Sequence, residues 1–481
     1  MMENELEFET VIGLEIHAQL ATDSKIFCSC STEFGCLPNQ NTCPVCLGLP
    51  GALPVLNRTV VEYAVQLGLA TNCSIRRDSQ FARKNYFYPD LPKAYQISQY
   101  ERPLCELGYL EIESGGKSKR IGITRIHLEE DAGKLVHEES GDASYVDLNR
   151  AGVPLVEIVS EPDLGTPEEA KDYMVKMHAI LMSLGICSGD MEKGHMRCDA
   201  NVSIRSRGQE EFGTRTEIKN LNSFRFVQQS LEYEIERHRE ELLEGRPLVQ
   251  ETRLWDSERR LTFSMRSKEE AEEYRYFPDP DLPVVELDES WIEVLRDKLP
   301  ELPDSRKERY RTELNLSDYD AGVISGSHEN AVYFEKVIAA GADPKQTCNW
   351  ILGDLTRLMN ERDCGIEQLQ IPPENLAELL SLIQSGTISG KMGKELLEEL
   401  PGGSCSPKEL IDVRGLSQVS DEGELAPLVE EVLGAHPRQV EEYKAGKTKV
   451  IGFFVGQLMK QTQGKGNPQL INQLLKSRLD G

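Results

Sequence analysis

The chain has 481 residues, which is more than one hydrophobic core usually supports, so about two to four domains are expected. Its net charge of −27 argues against non-specific binding to nucleic acid. No apolar run approaches the roughly 18 residues of a membrane span. The acidic start lacks the apolar core of a signal peptide, and the scattered cysteines suit a reducing compartment. We therefore expect a cytoplasmic protein.

The chain up to about residue 290 predicts strands that are interrupted by long helices. Thr166, Pro167 and Glu169 form the start signal of a helix that ends at Gly185. A second helix is predicted over residues 222–245. Meandering strands with inserted helices favour an α+β fold over a regular βαβ alternation. The predicted strands cover residues 10–20, 119–129, 144–149, 155–159 and 199–205.

A proline-rich stretch at residues 277–283 precedes a change to helical patterns. Residues 400–406 contain Pro-Gly-Gly and predict a hinge. We therefore expect an α+β domain over residues 1–293, a helical domain over 294–405 and a small helical domain over 406–481. The helices predicted in the last two domains include residues 349–360, 374–384, 450–461 and 468–479.

Four cysteines near the amino terminus have the spacing of a metal site. Cys28 and Cys30 form one short pair, Cys43 and Cys46 form another, and twelve residues separate the two pairs. Such spacing can place four thiolates around zinc. Since four thiolates leave no position open for a substrate, the zinc would be structural. The alternative is a set of free thiols, and Cys36 inside the loop departs from the pattern.

Complete alternation characterises the first predicted strand. Its even-numbered residues from Ile12 to Leu20 are apolar, whereas Glu15 and His17 lie on the opposite face. A carboxylate and an imidazole at this spacing can serve neighbouring metal ions, and the alternative is the solvated face of an edge strand. Further polar residues lie in or next to other predicted strands: residues 127–131, Glu157, Glu161, Asp199 and Asn201. Taken singly, each of these acids is more often a surface residue.

Two further stretches are dense in polar and aromatic residues. Residues 83–93 alternate cationic residues with aromatic residues and prolines. Such a segment suits contact with phosphate and stacking on a base. The alternative is an aromatic turn that packs on a hydrophobic core. Residues 217–222 lie between a strand and a helix, where side chains and helix N–H groups can hold an anion. The chain contains no phosphate-binding loop of the GxxxxGK[ST] type and no GxGxxG after a strand. A bound nucleotide would therefore be held by carboxylates and metal.

Long ordered segments across nearly the whole chain resemble one family, the B subunits of the tRNA-dependent amidotransferases (GatB). The segments are VIGLEIHAQL, RKNYFYPDLPKAYQIS, HLEEDAGK, VDLNRAGVPLVEIVSEPD, MRCDANVS, EIKNLNSF, YRYFPDPDLP, ISGKMGKELL and VGQLMKQTQGKGNPQLINQLL.

The resemblance implies a carbon–nitrogen ligase that amidates Glu-tRNA(Gln), Asp-tRNA(Asn) or both. In this family ATP phosphorylates the side-chain carboxylate, and ammonia that the glutaminase (A) subunit releases from glutamine then displaces the phosphate. The resemblance further implies a heterotrimer with the A and C subunits, Mg²⁺ as a cofactor and a structural Zn²⁺. Its fold is a cradle-like α+β catalytic domain with an antiparallel sheet, then a helical linker domain and a small helical tail.

The resemblance also implies roles for individual residues. His17, Glu130 and Glu157 would hold Mg²⁺, and Glu15 and Asp199 would serve a second cation or the mouth of the ammonia channel. The residues expected to contact ATP or substrate are Lys84, Lys219 and Asn220.

The tail domain is the part of the family that is implicated in tRNA recognition. From Arg438 to Gly481 the chain has eight Lys/Arg and three Asp/Glu, an excess that a solvated helical face also explains. With the resemblance, tRNA contact is expected at Lys444, Lys447, Lys449, Lys460 and Lys465.

Two other functions remain open from the sequence. A non-catalytic, zinc-containing tRNA-binding subunit would leave the carboxylates solvated or structural. A metal-dependent phosphohydrolase would use the same carboxylates and hydrolyse ATP without charged tRNA.

Overall fold

The structure, a computed structural model, describes residues 8–137, 143–265, 274–403, 405–414, 422–462 and 466–480. It divides into two compact units, Met1–Pro303 and Asp304–Gly481. The first predicted domain boundary, at residue 293, stays a prediction. It lies within helix Glu289–Asp297, whose Ile292 and Leu295 belong to the core of the first unit.

The first unit combines strands and helices, and the predicted α+β class is confirmed. Its described strands are β1 (Phe8–Gln19), β2 (Ser74–Ile75), β3 (Asp78–Ser79), β4 (Ala82–Asn85), β5 (Tyr95–Ser98), β6 (Cys105–Ser114), β7 (Lys117–Glu130), β8 (Lys134–His137), β9 (Ser144–Asp147), β10 (Pro154–Ser160), β11 (Met196–Ser206), β12 (Thr216–Leu221), β13 (Glu251–Asp256), β14 (Leu261–Ser264), β15 (Phe277–Pro278) and β16 (Val285–Glu286). Its helices in the same ranges are α1 (Arg58–Ala70), α2 (Pro167–Leu184), α3 (Phe224–Leu243) and α4 (Glu289–Asp297).

Nine of the described strands form one sheet in the order β14-β13-β12-β11-β1-β10-β7-β6-β2. Neighbouring strands are antiparallel except for the parallel pair of β12 and β13. The strand β1 therefore lies in the middle of the sheet, which rules out the edge-strand alternative for Glu15 and His17.

The alternation of β1 determines which face of the sheet is covered. Ile12, Leu14 and Ile16 are almost completely buried and share one core with residues of α1, α2 and α3. The helix α2 starts as its sequence predicts, because the Thr166 hydroxyl accepts a hydrogen bond from the Glu169 N–H, and it ends at Gly185 in a left-handed conformation. The helices α1, α2 and α3 therefore cover the apolar face of the sheet and not the opposite face, which bears Glu15 and His17.

The second unit is helical throughout its described elements. These are α5 (Pro303–Thr312, which begins at the last residue of the first unit), α6 (Asp318–Gly326), α7 (His328–Ala339), α8 (Pro344–Trp350), a π-helical turn (Ile351–Leu355), α9 (Thr356–Arg362), a 3₁₀ turn (Glu367–Leu369), α10 (Pro373–Gln384), α11 (Gly390–Leu397), α12 (Pro407–Arg414), α13 (Glu422–Ala435), α14 (Pro437–Lys444), a 3₁₀ turn (Thr448–Val450), α15 (Ile451–Gln461) and α16 (Pro468–Leu479).

Two separate hydrophobic clusters lie within the second unit. One extends from Tyr310 to Ile411 and the other from Leu425 to Leu479. The boundary between linker and tail, expected at residues 405–406, stays a prediction. No helix in the described ranges is long and apolar enough to cross a membrane.

Candidate functional site

The open face of the sheet brings polar residues of four strands into register. His17 lies opposite Glu157 of β10 on one side and Arg197 of β11 on the other. Glu157 in turn lies opposite His127 of β7. Because neighbouring strands are only about 4.8 Å apart, these side chains form one continuous polar row.

The first candidate metal cluster consists of His17, Glu129 and Glu157, whose ligand atoms all lie within 4.8 Å of one another. The His17 Nε2 atom is 3.3 Å from a Glu157 oxygen and 3.9 Å from a Glu129 oxygen. His127 adds a second imidazole, with its Nε2 atom 3.6 Å from Glu157 and 3.7 Å from Glu129. The buried Nδ1 atoms of both histidines have no hydrogen-bond partner in the described part of the chain.

The electrostatics of this cluster favour an ionised carboxylate. Burial opposes the charge of Glu157, but His127 and His17 outweigh it and hold the pKa of Glu157 well below its usual range. Burial likewise opposes the protonated form of His17, yet its hydrogen bond with Glu157 raises the pKa of His17. Two buried carboxylates beside two imidazoles thus need a compensating proton or cation. Such a set fits a divalent cation that keeps water or phosphate oxygens in its remaining positions.

Glu130 does not lie in this cluster, which corrects the ligand set predicted from the sequence. Its carboxylate pairs with the Lys93 ammonium and accepts a 2.8 Å hydrogen bond from the Ile97 N–H. These groups line a separate cavity of about 190 Å³ beside the cysteine loop. Glu129, the preceding residue, occupies the place expected for Glu130.

A β-bulge explains the one-residue difference. In the pairing of β10 with β7, Ser160 lies opposite Ile123 and Val159 lies opposite Arg125, so Thr124 is an extra residue. A bulge of this kind shifts the alternation of a strand by one residue. The buried apolar positions accordingly change from odd numbers, such as Ile123, to even numbers, such as Ile126.

A second cluster, also within 4.8 Å, consists of Glu15, Asp199 and Glu217. The Lys219 ammonium partly neutralises it, at 2.6 Å from Asp199 and 2.8 Å from Glu217. Asn201 donates a 2.9 Å hydrogen bond to Glu15. Burial and the nearby Glu157 raise the pKa of Glu15. The expected neighbours Glu15 and Asp199 are thus brought together, and Glu217 joins them.

One cavity of about 730 Å³ contains members of both clusters. Lys84 also lines it, with its ammonium 4.9 Å from the centre of the Tyr274 ring. Burial opposes the charge of Lys84, but Glu129 together with Tyr276, Glu157 and Tyr274 outweighs burial and raises the pKa of Lys84. Lys84 and Lys219, which we expected to contact ATP or substrate, therefore line the same cavity as the carboxylates, and their function stays a prediction.

Asn220 lies elsewhere. It lines an adjacent cavity of about 600 Å³, and its side chain donates a 3.3 Å hydrogen bond to the Trp255 carbonyl. Asp199 lines both cavities, so it forms a wall between them.

The four cysteines of the predicted zinc site converge. The Sγ atoms of Cys28, Cys30, Cys43 and Cys46 lie within 4.8 Å of one another, and those of Cys43 and Cys46 are 3.9 Å apart. A hydrogen bond with Cys28 is the main cause that lowers the pKa of Cys46 to about 4. Since thiolates are the form that binds metal, this set fits a tetrahedral zinc ion. Cys36 lies outside the group.

The tail lysines within the described ranges are exposed. Lys444 ends α14, Lys447 and Lys449 lie at the following 3₁₀ turn, and Lys460 lies in α15. Lys465 lies outside the described residues.

Comparison with known proteins identifies the family. Residues 10–293 match the GatB/GatE catalytic domain, and residues 332–479 match the GatB domain. Three similar proteins are each named as the B subunit of an aspartyl/glutamyl-tRNA(Asn/Gln) amidotransferase. That of Geobacter sulfurreducens is 56% identical over 479 residues, covering 99% of this chain and 100% of the relative.

The other two relatives align over nearly the same length. The Solidesulfovibrio magneticus protein is 55% identical over 98% of this chain and 99% of its own, and the Persephonella marina protein is 54% identical over 98% and 100%. The fold and these matches define an amidotransferase enzyme subunit. The chain belongs to the B-subunit family of the aspartyl/glutamyl-tRNA(Asn/Gln) amidotransferases.

Proposed function

We propose that this chain catalyses the ATP-dependent amidation of Glu-tRNA(Gln), Asp-tRNA(Asn) or both, within a complex that also contains the A and C subunits. The names of the relatives support tRNA-dependent amidation in general. The observation that supports phosphorylation in particular is the cluster of His17, Glu129 and Glu157, of which His17 and Glu157 line a cavity that also holds a second carboxylate cluster.

Phosphorylation would activate the side-chain carboxylate for attack by ammonia. A carboxylate is a poor electrophile, and its charge repels the γ-phosphate of ATP. A divalent cation, when bound, neutralises both groups. His17, Glu129 and Glu157 would hold it. The Lys84 ammonium lines the same cavity and would also stabilise the negative charges of the carboxylate and the γ-phosphate.

The second step forms a C–N bond and breaks the C–O bond to phosphate, and the attacking nitrogen then loses a proton. A carboxylate with a raised pKa is suited to accept that proton, so we assign this step to Glu15. Lys219 pairs with Asp199 and Glu217, which lie beside Glu15.

Ammonia has a candidate route on the other face of the sheet. The Glu130–Lys93 pair lines the cavity beside the cysteine loop, and Glu130 directly follows Glu129 in the chain. We propose that this cavity belongs to the path from the glutaminase (A) subunit. The cysteine cluster, with zinc bound, would hold the loop that forms one wall of the cavity. The exposed tail lysines would contact tRNA, and the location would be cytoplasmic.

One assay tests the proposal. The chain, reconstituted with its A and C subunits, is supplied with ATP, ammonium chloride and charged tRNA. We expect amidation that requires ATP and is lost in His17→Ala. Amidation that survives His17→Ala would support the non-catalytic subunit instead. ATP hydrolysis of equal rate with and without charged tRNA would support the phosphohydrolase.

A further inference from the structure

We propose that Arg125 binds the polyphosphate chain of the nucleotide, an inference that rests on the proposed function. The residue lies on β7, directly after the bulge at Thr124. It lines the 730 Å³ cavity that contains members of both carboxylate clusters.

Its position places Arg125 on the same face as the metal cluster. After the bulge, Arg125, His127 and Glu129 alternate with buried apolar residues, so their side chains share the open face. At about 3.4 Å per residue, the Arg125 and Glu129 backbones are roughly 14 Å apart along the strand. A polyphosphate that reaches from Arg125 towards the cluster would present its terminal phosphate there.

The missing partner of Arg125 is the main evidence. Within the described ranges, its guanidinium has no hydrogen-bond or ion-pair partner, and its Nε atom is buried. By contrast, Lys219 on the same cavity pairs with two carboxylates. Arg125 is half-buried, but a buried N–H group without a partner is costly, and an anion bound in the cavity would supply that partner.

The chemistry of arginine specifies the ligand. The planar guanidinium donates parallel hydrogen bonds that match the oxygens of a phosphate. The nearby carboxylates of Glu15 and Glu157 would repel a phosphate without such a cation and a bound metal. Arg125 is therefore expected to recognise the phosphates and to be indifferent to the base.

The test compares Arg125→Gln, Arg125→Lys and the control Arg120→Gln in the reconstituted complex. Arg120 lies on the same strand, but its guanidinium covers the Tyr109 ring at 3.5 Å and does not line the cavity. The probes are ATP, inorganic triphosphate and adenosine with Mg²⁺ present. The measurements are the affinity for each probe, the KM for ATP and for charged tRNA, and the urea midpoint without nucleotide.

We expect Arg125→Gln to weaken ATP and triphosphate binding about 10- to 100-fold, with adenosine binding and the KM for charged tRNA unchanged. Arg125→Lys should recover part of the loss, and Arg120→Gln should show none. Because Arg125→Gln removes an unpaired charge, its urea midpoint should equal or exceed that of the unaltered chain.

Three results would overturn the inference while leaving the proposed function standing. They are unchanged ATP affinity in Arg125→Gln, a loss confined to the KM for charged tRNA, and a lowered urea midpoint or failure to fold, which would indicate a structural role. If the unaltered complex binds no ATP, the proposed function fails and the inference fails with it.

Discussion

Glu129 and Glu130 are neighbours in the chain, yet their carboxylates serve different sides of β7. Glu129 lies within 3.9 Å of His17, whereas Glu130 pairs with Lys93 beside the cysteine loop. Because the side chains of a strand alternate, β7 contributes one acid to a candidate metal cluster on one face and the next acid to a cavity on the other face. This arrangement lets two adjacent acids be tested for two separate functions.

The cysteine cluster should be structural. We expect Cys43→Ser to lower the zinc content of the purified protein and to lower its melting temperature, because a thiolate ligand is lost. Limited proteolysis should then cut within the loop of residues 28–55 before amidation activity declines. Cys36→Ser is the matched control, since Cys36 lies in the same loop but outside the cluster. Equal zinc loss in both variants would contradict the assignment of the four ligands.

The Lys93–Glu130 pair should contribute to stability chiefly because each charge compensates the other. Both side chains are almost fully buried. We expect Lys93→Met to lower the free energy of unfolding by about 3–5 kcal/mol, since it leaves the Glu130 charge buried without its partner. The double variant Lys93→Met/Glu130→Gln should regain part of this loss in urea denaturation. A double variant less stable than Lys93→Met would show that the carboxylate is held by other groups.

His238 should make the first unit sensitive to acid. It lies buried in α3, with its Nε2 atom 2.8 Å from the Thr216 hydroxyl. Burial, assisted by Arg237, lowers its pKa to about 4, below the roughly 6.5 of an unfolded histidine. Well above pH 6.5 the residue is neutral in both states. As the pH falls from there towards 4, the unfolded state binds a proton that the folded state excludes, so stability declines.

The expected loss from this residue is about 2 kcal/mol at pH 5 relative to pH 7. His238→Gln should therefore lose less stability over that range than the unaltered chain, as measured by urea denaturation at both pH values. His137→Gln, at an exposed histidine, is the control. If His238→Gln and the control show the same pH dependence, the buried histidine is not the cause.

The tail lysines should contribute to tRNA affinity through phosphate contacts. We expect the combined replacement of Lys444, Lys447, Lys449 and Lys460 by alanine to weaken binding at low salt. The slope of log affinity against log salt should fall by about 1 for each lysine that contacts a phosphate. An unchanged slope would contradict the tail assignment. The control replaces four exposed lysines of the second unit that precede the tail: Lys336, Lys345, Lys391 and Lys394.

Much of the fold could be predicted from the sequence because its signals are local. The alternation of β1 predicted both its buried face and the exposure of Glu15 and His17 to the site. The Thr166 cap predicted the start of α2, and the last helix was predicted at its observed bounds, Pro468–Leu479. The convergence of the four cysteines also followed from their spacing.

The parts that could not be predicted depend on long-range pairing. The bulge at Thr124 appears only when β7 is paired with β10, and it decides that Glu129 rather than Glu130 faces His17. Glu217 joins Glu15 through the packing of β12 beside β11. The alternation of Ile126 and Leu128 with His127 and Glu129 was a usable signal, but the odd-numbered Ile121 and Ile123 contradict it.

The central claim is that a divalent cation binds at His17, Glu129 and Glu157, and the pair of adjacent acids tests it most directly. Binding of Mn²⁺ to the reconstituted complex, followed by electron paramagnetic resonance, would be compared for Glu129→Gln and Glu130→Gln. We expect Glu129→Gln to weaken Mn²⁺ binding at least about tenfold, because a charged ligand is lost, and Glu130→Gln to leave it within about twofold. Weakened binding in Glu130→Gln with Glu129→Gln unaffected would contradict the account.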